Sequence, residues 1–437
     1  MKKYETYKDS GVEWIGEIPE HWEITSIKYI GSIVSGYSFK SDDFTEKGVR
    51  VMKISNIQTM RIDWTDDSYL PNDFLNKYSR FIVRKGDLVF ALTRPIISTG
   101  IKAAIIDENI DILLNQRNAV LKPSNNLVTE WMYYMIFNES FKQHFESLID
   151  NTGQQPNISS TDIGNINIPF PSLEEQTQIA NYLNHKTAQL DTLITKKEQL
   201  ISLLQEERTA MIDNFLQPKD DWNSVPIRYL IMGGYLKQQD GNHGELHPIA
   251  SEYTENGIPF IMANHLVNEK IDFENCKYIS EERASKLRIG FAKEGDILLT
   301  HKGTLGRVAI VEGISTEYVM LTPQVTYYRC LNGLDNRYLK LFFQSSKFQN
   351  EMKFIGGEGT TRAYVGLLAQ RNIVVDFPNE INEQKRIVEK IEFTLNINSD
   401  LINKLSLEIE LLKEYKTALI SEVVTGKVDV REEVLAQ

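Results

Sequence analysis

Cysteine is scarce in this chain of 437 residues. Cys276 and Cys330 are the two present, too few for a disulfide framework and too far apart for a zinc knuckle, so a reducing compartment and two buried thiols are expected. Long apolar runs are missing as well. No stretch of 18 apolar residues occurs, and the opening "MKKYETYKDSGVEWIGEIPEHW" has a basic start without the apolar centre of a signal peptide, which points to the cytoplasm. The phosphate-cradling pattern G-x-x-x-x-G-K-[ST] and the dinucleotide pattern G-x-G-x-x-G are both absent. "HGELH" (243–247) sets two histidines four apart, but Gly244 and Pro248 break the helix that would present them to zinc, so no metal site is expected there. Excess positive charge is lacking too, since the net charge is -12, which argues against an indiscriminate polyanion binder. Nothing here supports an enzymatic centre.

The sequence does contain itself twice. "LLQEERTAMI" (203–212) returns as "LLKEYKTALI" (411–420), and the match extends in both directions. "HWEITSIKYI" (21–30) faces "DWNSVPIRYL" (221–230), Gly86-Asp87 falls on Gly295-Asp296, and Phe170-Pro171 falls on Phe377-Pro378. Collinear order makes this an internal duplication with loop insertions. Each copy begins with short apolar runs such as "GDLVFAL" and "GDILLT", punctuated by Gly, Asn and Asp, which predict strands joined by loops. Each then lengthens its period to helical spacing.

Between Pro171 and Pro218 the chain has neither glycine nor proline, which predicts one long helix. Positions Leu190, Ile194, Lys197, Ile201, Leu204, Arg208, Met211 and Phe215 alternate steps of four and three. The second copy repeats the register in Asn398, Ile402, Leu405, Ile409, Leu412, Lys416, Leu419 and Val423. Sustained heptads in one register predict two strands of one coiled coil, with a core of Leu190, Ile194, Ile201, Leu204, Met211, Ile402, Leu405, Ile409, Leu412 and Leu419.

Local charge differs from the net charge. Window 77–102 holds Lys77, Arg80, Arg84, Lys85, Arg94 and Lys102 against Asp87, and window 283–307 holds Arg283, Lys286, Arg288, Lys293, Lys302 and Arg307 against Glu294 and Asp296. The two fall at equivalent places in the repeat, so Arg84, Arg94, Lys102, Lys293, Lys302 and Arg307 are candidate contacts to a polyanion. Amide side chains suited to base edges accumulate nearby: Gln116 with Arg117, and Gln154 with Asn157, with Thr361, Arg362 and Tyr364 at the matching place in the second copy.

These residues resemble the specificity subunit of type I restriction-modification enzymes, over essentially the whole chain. The carrying stretches are "YKDSGVEWIGEIPEHWE", the repeated Gly-Asp strand, "NIPFPSLEEQTQIANYL", "VVDFPNEINEQKRIVEKI", "GEGTTRAYV" and "LISEVVTGKVDV". The resemblance implies an α+β chain with two β-rich target-recognition domains (1–171 and 218–379). It also implies a central conserved helix (172–217), a C-terminal conserved helix (380–430) paired with it as an antiparallel coiled coil, and a tail (431–437). Each domain would read one half of a bipartite, asymmetric site in double-stranded DNA. The helices would set the unread gap and dock modification subunits, expected in two copies, and restriction subunits. S-adenosylmethionine, ATP and Mg would belong to those partners, leaving this chain without cofactor, metal or catalytic residue. The competing expectation is a coiled-coil scaffold whose β-rich domains bind protein. Residues 1–171 carry 18 positive and 22 negative side chains and 218–379 carry 18 and 19, so weak DNA binding by the isolated chain is expected.

Overall fold

The computed structural model describes residues 2–244, 247–357 and 363–433. They fall into two compact units interleaved along the chain, one drawn from 1–197 and 407–437, the other from 198–406.

The first unit carries β1 (Gly31–Ser35), β2 (Val49–Met52), β3 (Tyr69–Leu70), β4 (Ile82–Val83), β5 (Leu88–Ala91), β6 (Ala103–Ile105), β7 (Ile112–Leu114) and β8 (Asn118–Pro123). The second carries β9 (Leu236–Asp240), β10 (Ile258–Ile261), β11 (Lys277–Ile279), β12 (Phe291–Ala292), β13 (Ile297–Lys302), β14 (Thr304–Ile310), β15 (Val319–Leu321) and β16 (Val325–Cys330). One sheet of the first unit runs β6-β5-β8-β1 and its other runs β3-β2-β7-β4. The second unit repeats them as β14-β13-β16-β9 and β11-β10-β15-β12, with Tyr253–Thr254 added at the β11 edge. Even the parallel pairing of β2 with β7 recurs, between β10 and β15.

Strand β5 (LVFA) and the first three residues of β13 (ILL) are apolar without interruption because both of their faces are covered. Leu88 and Phe90 enter the core shared with Trp131 and Met135, whereas Val89 enters a second core with Ile57 and Ile112. Ile297 and Leu299 divide from Leu298 in the same way. The duplication also explains two glycines. A Cβ on Gly36 would lie 2.2 Å from the Asn115 carbonyl oxygen, and one on Gly241 would lie 2.0 Å from that of Leu321, so both sites demand bare backbone.

Two long helices follow, α1 (Leu173–Phe215, 43 residues) and α2 (Ile381–Val424, 44 residues), each about 65 Å at 1.5 Å per residue. In the first unit Asp191 accepts from Lys416 at 2.7 Å and Lys197 pairs with Glu408, so the partner number falls as the α1 number rises and the segments run antiparallel. In the second unit Arg208 donates to Ser399 at 3.2 Å in the same sense. The heptad positions face inward as the spacing predicts: Ile194, Leu204, Leu405, Ile409 and Leu419 are buried, and Leu190, Ile201, Met211, Ile402 and Leu412 are half-buried. The cations in that pattern keep their stems in the seam and carry their charges to acids, Lys197 to Glu408, Lys416 to Asp191 and Arg208 to Glu269.

The second helix stops short of the 380–430 span that the resemblance implies. Gly426, with φ of 76°, breaks it, and Val428 and Val430 return to the first unit's core beside Tyr4 and Trp22. Each helix is fastened at its start by one fully buried glutamine. Gln176 donates to the carbonyls of Pro171 (3.0 Å) and Asn126 (3.1 Å) and accepts from the Val128 amide (2.9 Å). Gln384 donates to Pro378 (2.9 Å) and Gly333 (3.1 Å) and accepts from Asp335 (2.8 Å).

Candidate nucleic-acid interface

The repeated Gly-Asp pair sits at the entry of β5 and β13, and its work is structural. Gly86 and Gly295 take φ of 89° and 85°, values that suit glycine, and each donates its amide across the sheet at 2.8 Å, to Ile106 and Val311. The aspartates close the turn by accepting the amides of Arg84 (2.8 Å) and Lys293 (2.7 Å). Asp87 then pairs with Lys122 on β8, and Asp296 with Arg329 on β16 at 2.7 Å. A buried carboxylate with both a cation and a backbone donor fixes strand register.

Other exposed candidates gather at the opposite ends of these strands. In the first unit Leu92 donates its amide to the Arg117 carbonyl (2.8 Å) and accepts from Ile158 (2.9 Å), while the Arg94 amide donates to Pro156 (2.8 Å). The Thr93 hydroxyl donates to the Asn157 side-chain oxygen at 3.0 Å. Thus Arg94, Gln116, Arg117, Gln154 and Asn157, all exposed, are brought onto three loops laced to one another. Tyr37 joins them, because its carbonyl accepts the Gln116 amide at 3.0 Å and its partly exposed ring lies 4.5 Å from that of Tyr78.

The second unit repeats the lacing with other side chains. His301 donates its amide to the Gln324 carbonyl (3.0 Å) and accepts from Val365 (2.9 Å), and the Gly303 amide donates to Ala363 (3.0 Å). Lys302 bridges Tyr364 as Thr93 bridges Asn157. Lys302 is exposed, and Tyr364 is half exposed with its ring 5.7 Å from the buried His301 ring. Burial holds the His301 imidazole below the usual histidine range, with the Asp240 carboxylate pulling the other way. Thr361 and Arg362 lie outside the described residues.

Four of the basic candidates have other engagements. Arg84 and Lys293 lie at the Gly-Asp ends of their strands, away from the laced loops, and pair with Asp111 (2.8 Å) and Glu317 (2.7 Å). Lys102 is 7% exposed, donates its ammonium to the Ile54 carbonyl at 2.6 Å, and is pushed below the ordinary lysine range by burial. Arg307, at the matching point of β14, is exposed and donates to the Leu266 carbonyl at 3.2 Å. The two basic windows are therefore duplicated partly because two structural pins and two ion pairs are duplicated. A count of charges misses this because it ignores where their partners fall. Conversely, sequence reasoning passed over Gln324, which is exposed where the lacing places Arg117 in the first unit; the repeat offset of 207 residues was the available signal. Among the described residues no group of three His, Cys, Asp or Glu side chains could hold a metal ion, and His243 turns to Asp240 at 2.7 Å. No helix among them is long and apolar enough to cross a membrane.

Two β-rich units built on one plan, with unlike exposed loops, together with paired long helices define the architecture. The sequence matches the family described as Type I restriction modification DNA specificity domain over residues 19–203 and 243–411, and the chain belongs to that family. It is 38% identical over 189 residues to the type I restriction enzyme MjaVIII specificity subunit of Methanocaldococcus jannaschii, covering 43% of this chain and 44% of that one. It is 32% identical over 174 residues to the EcoAI specificity subunit of Escherichia coli, covering 38% and 28%. The match to the putative MjaX specificity subunit of M. jannaschii, at 23% identity, spans 95% of this chain and 96% of that one. The fold is shared with a chain from a structure titled for complex assembly and conformational transition of the type I R-M system (TM-score 0.62, 14% identity, 94% of this chain and 99% of that one). It is also shared with the HsdS subunit from Thermoanaerobacter tengcongensis (TM-score 0.50, 15% identity, 94% and 98%).

Proposed function

We propose that this chain is the non-catalytic DNA-recognition subunit of a type I restriction-modification complex, each unit reading one half of a bipartite site. One observation carries the reading: the lacing of the loops is the same in both units, while the side chains it presents differ, Thr93 against Lys302, Arg117 against Gln324 and Asn157 against Tyr364. A shared frame with unlike exposed groups suits two readers of unlike sequence. Methyl transfer and ATP-driven chemistry then fall to modification and restriction subunits, with their S-adenosylmethionine, ATP and Mg. Apolar side chains left outside the helix seam support docking of such partners: Leu407, Leu411 and Tyr415 recur every fourth residue in the first unit's stretch of α2, and Phe393, Ile397 and Leu401 do so in the second unit's.

The test is co-expression with a modification subunit and mapping of methylated adenines. The expected result is one bipartite motif with two different halves; a single contiguous motif, or no methylation and no DNA binding by the complex, overturns the reading. The helices would set the gap between halves. Arg208 faces Ser399, so a heptad inserted after Leu204 has to be matched after Ile402 rather than at the repeat-equivalent Leu412. That insertion lengthens the rod by about 10.5 Å, or about three base pairs of unread gap. An active variant with an unchanged gap refutes the helices as a ruler.

A further inference from the structure

Arg94 stands at the corner where the chain leaves β5, with φ of 46°, a left-handed conformation that a side chain bearing a Cβ disfavours. The matching corner of the second unit is Gly303, with φ of 77°. The match is direct, since the Arg94 amide donates to Pro156 at 2.8 Å and the Gly303 amide donates to Ala363 at 3.0 Å, on loops that the repeat aligns. Glycine therefore satisfies this corner, and an arginine there needs a reason other than the fold.

The side chain supplies one. Arg94 is exposed, and among the described residues no hydrogen bond, ion pair or ring contact engages its guanidinium. In the same basic window Arg84 is held by Asp111 and Lys102 by the Ile54 carbonyl. Around Arg94 lie Arg117, Gln116 and Gln154, on loops tied to its own by backbone hydrogen bonds. Backbone pinned on both sides, through Thr93 bonded to Asn157 before it and through the Pro95 carbonyl, which accepts the Lys102 amide at 2.7 Å, after it, gives the guanidinium a fixed origin. Simple attraction to phosphate needs no such origin, because a flexible cation on unstrained backbone provides it. A rigidly placed planar fork matches the paired acceptors O6 and N7 of guanine.

We propose that Arg94 is a specificity-determining residue that reads a guanine in the half-site assigned to the first unit. The inference rests on the DNA-recognition reading above. Its test compares wild type, R94G and R94K, each assembled with the modification subunit, by mapping methylated motifs and by measuring methylation of duplexes with single base-pair replacements. R94G is expected to lose on the order of tenfold to hundredfold discrimination for guanine at one position of one half-site, with the other half-site unchanged. Its melting temperature should stay within a few degrees of wild type, because glycine fits the corner. R94K keeps the charge and loses the fork, so it should relax the same position while keeping more of the overall affinity. An unchanged motif in R94G, or a loss equal for all sequences, overturns the inference while leaving the DNA-recognition reading in place. A wild-type complex that neither binds nor methylates DNA overturns that reading and the inference with it.

Discussion

The two units hold the same frame and present different surfaces, and the division between these falls at identifiable atoms. What they share is buried or internally paired: the glutamine clasps, the Gly-Asp turns, the pins from Lys102 and Arg307, and the bare-backbone contacts of Gly36 and Gly241. What they do not share clusters at the laced loops, where Thr93, Arg94 and Arg117 of one unit occupy the places that Lys302, Gly303 and Gln324 hold in the other. Duplication preserves what folding requires and leaves exposed loop positions free to differ. A residue retained in both copies is thus weak evidence of DNA contact here, and a residue changed between copies on a conserved corner is stronger evidence.

The comparison can be broken most forcefully at the clasps. Gln176→Ala strands two carbonyls and one amide in a buried setting, and Gln384→Ala strands the equivalent three. Each variant should lose about 2–4 kcal/mol of stability in its own unit, since a buried polar group left without a partner costs about 1–3 kcal/mol and neighbouring backbone relaxes in part. Hydrogen exchange resolved by residue checks this without assuming one transition for the whole chain. Losses that differ by more than about 1.4 kcal/mol between the units would show that the two frames are not energetically equivalent.

The pins come next. Lys102→Met and Arg307→Met remove a donor to the Ile54 and Leu266 carbonyls but keep most of the apolar stem. The expected cost is about 1–2 kcal/mol, felt as faster exchange in those segments, with the methylated motif unchanged. If either substitution shifts the motif while exchange stays the same, the residue contacts DNA and the structural account of it fails.

Much of this frame was legible in the sequence and the surface far less so. Heptad spacing placed Ile194, Leu204, Leu405 and Ile409 in the seam because helical periodicity is a local property of the chain. The mixed β-rich units and the position of the repeated Gly-Asp strand followed from the same kind of local signal. Which cations are free did not, because a cation can be engaged by acceptors far along the chain: the Lys102 ammonium donates to the Ile54 carbonyl, and Arg307 to that of Leu266. Gln324 went unnoticed because Pro323 interrupts the amide pattern that made Gln116 and Arg117 conspicuous. The helix end was placed at 430 by the resemblance, whereas Gly426 stops the helix and sends Val428 and Val430 into the core.

Acid offers a subtler separation of the units. At the position of Leu92 in the first unit the second has His301, fully buried, with its Nε2 unpartnered among the described residues. Burial also lowers His247 and His265 in the second unit, against His144 in the first. A histidine whose folded pKa lies below its unfolded value of about 6.5 contributes stability that is complete above that value and is lost as pH falls through and below it. Between pH 7.5 and 5.5 the second unit should therefore lose more protection than the first, and His301→Leu should flatten that loss. Equal losses in both units, or an unaltered slope in the variant, would mean that the imidazole accommodates its proton through Asp240.

The smallest expected effect lies at the exposed ion pairs within the basic windows. Arg84 with Asp111 and Lys293 with Glu317 are solvent-exposed pairs at the ends of strands already fixed by Asp87 and Asp296 through backbone amides. An exposed pair gives back in screening and side-chain ordering most of what attraction supplies, so each contributes little to stability. Arg84→Ala and Lys293→Ala should therefore change stability by less than the clasp or pin variants, and by similar amounts in the two units. They should also leave the methylated motif intact and the slope of DNA affinity against salt unchanged, because a side chain that releases no counterion on binding does not enter that slope. A slope reduced by about one unit in either variant would assign that residue a phosphate contact and move it from the shared frame to the reading surface.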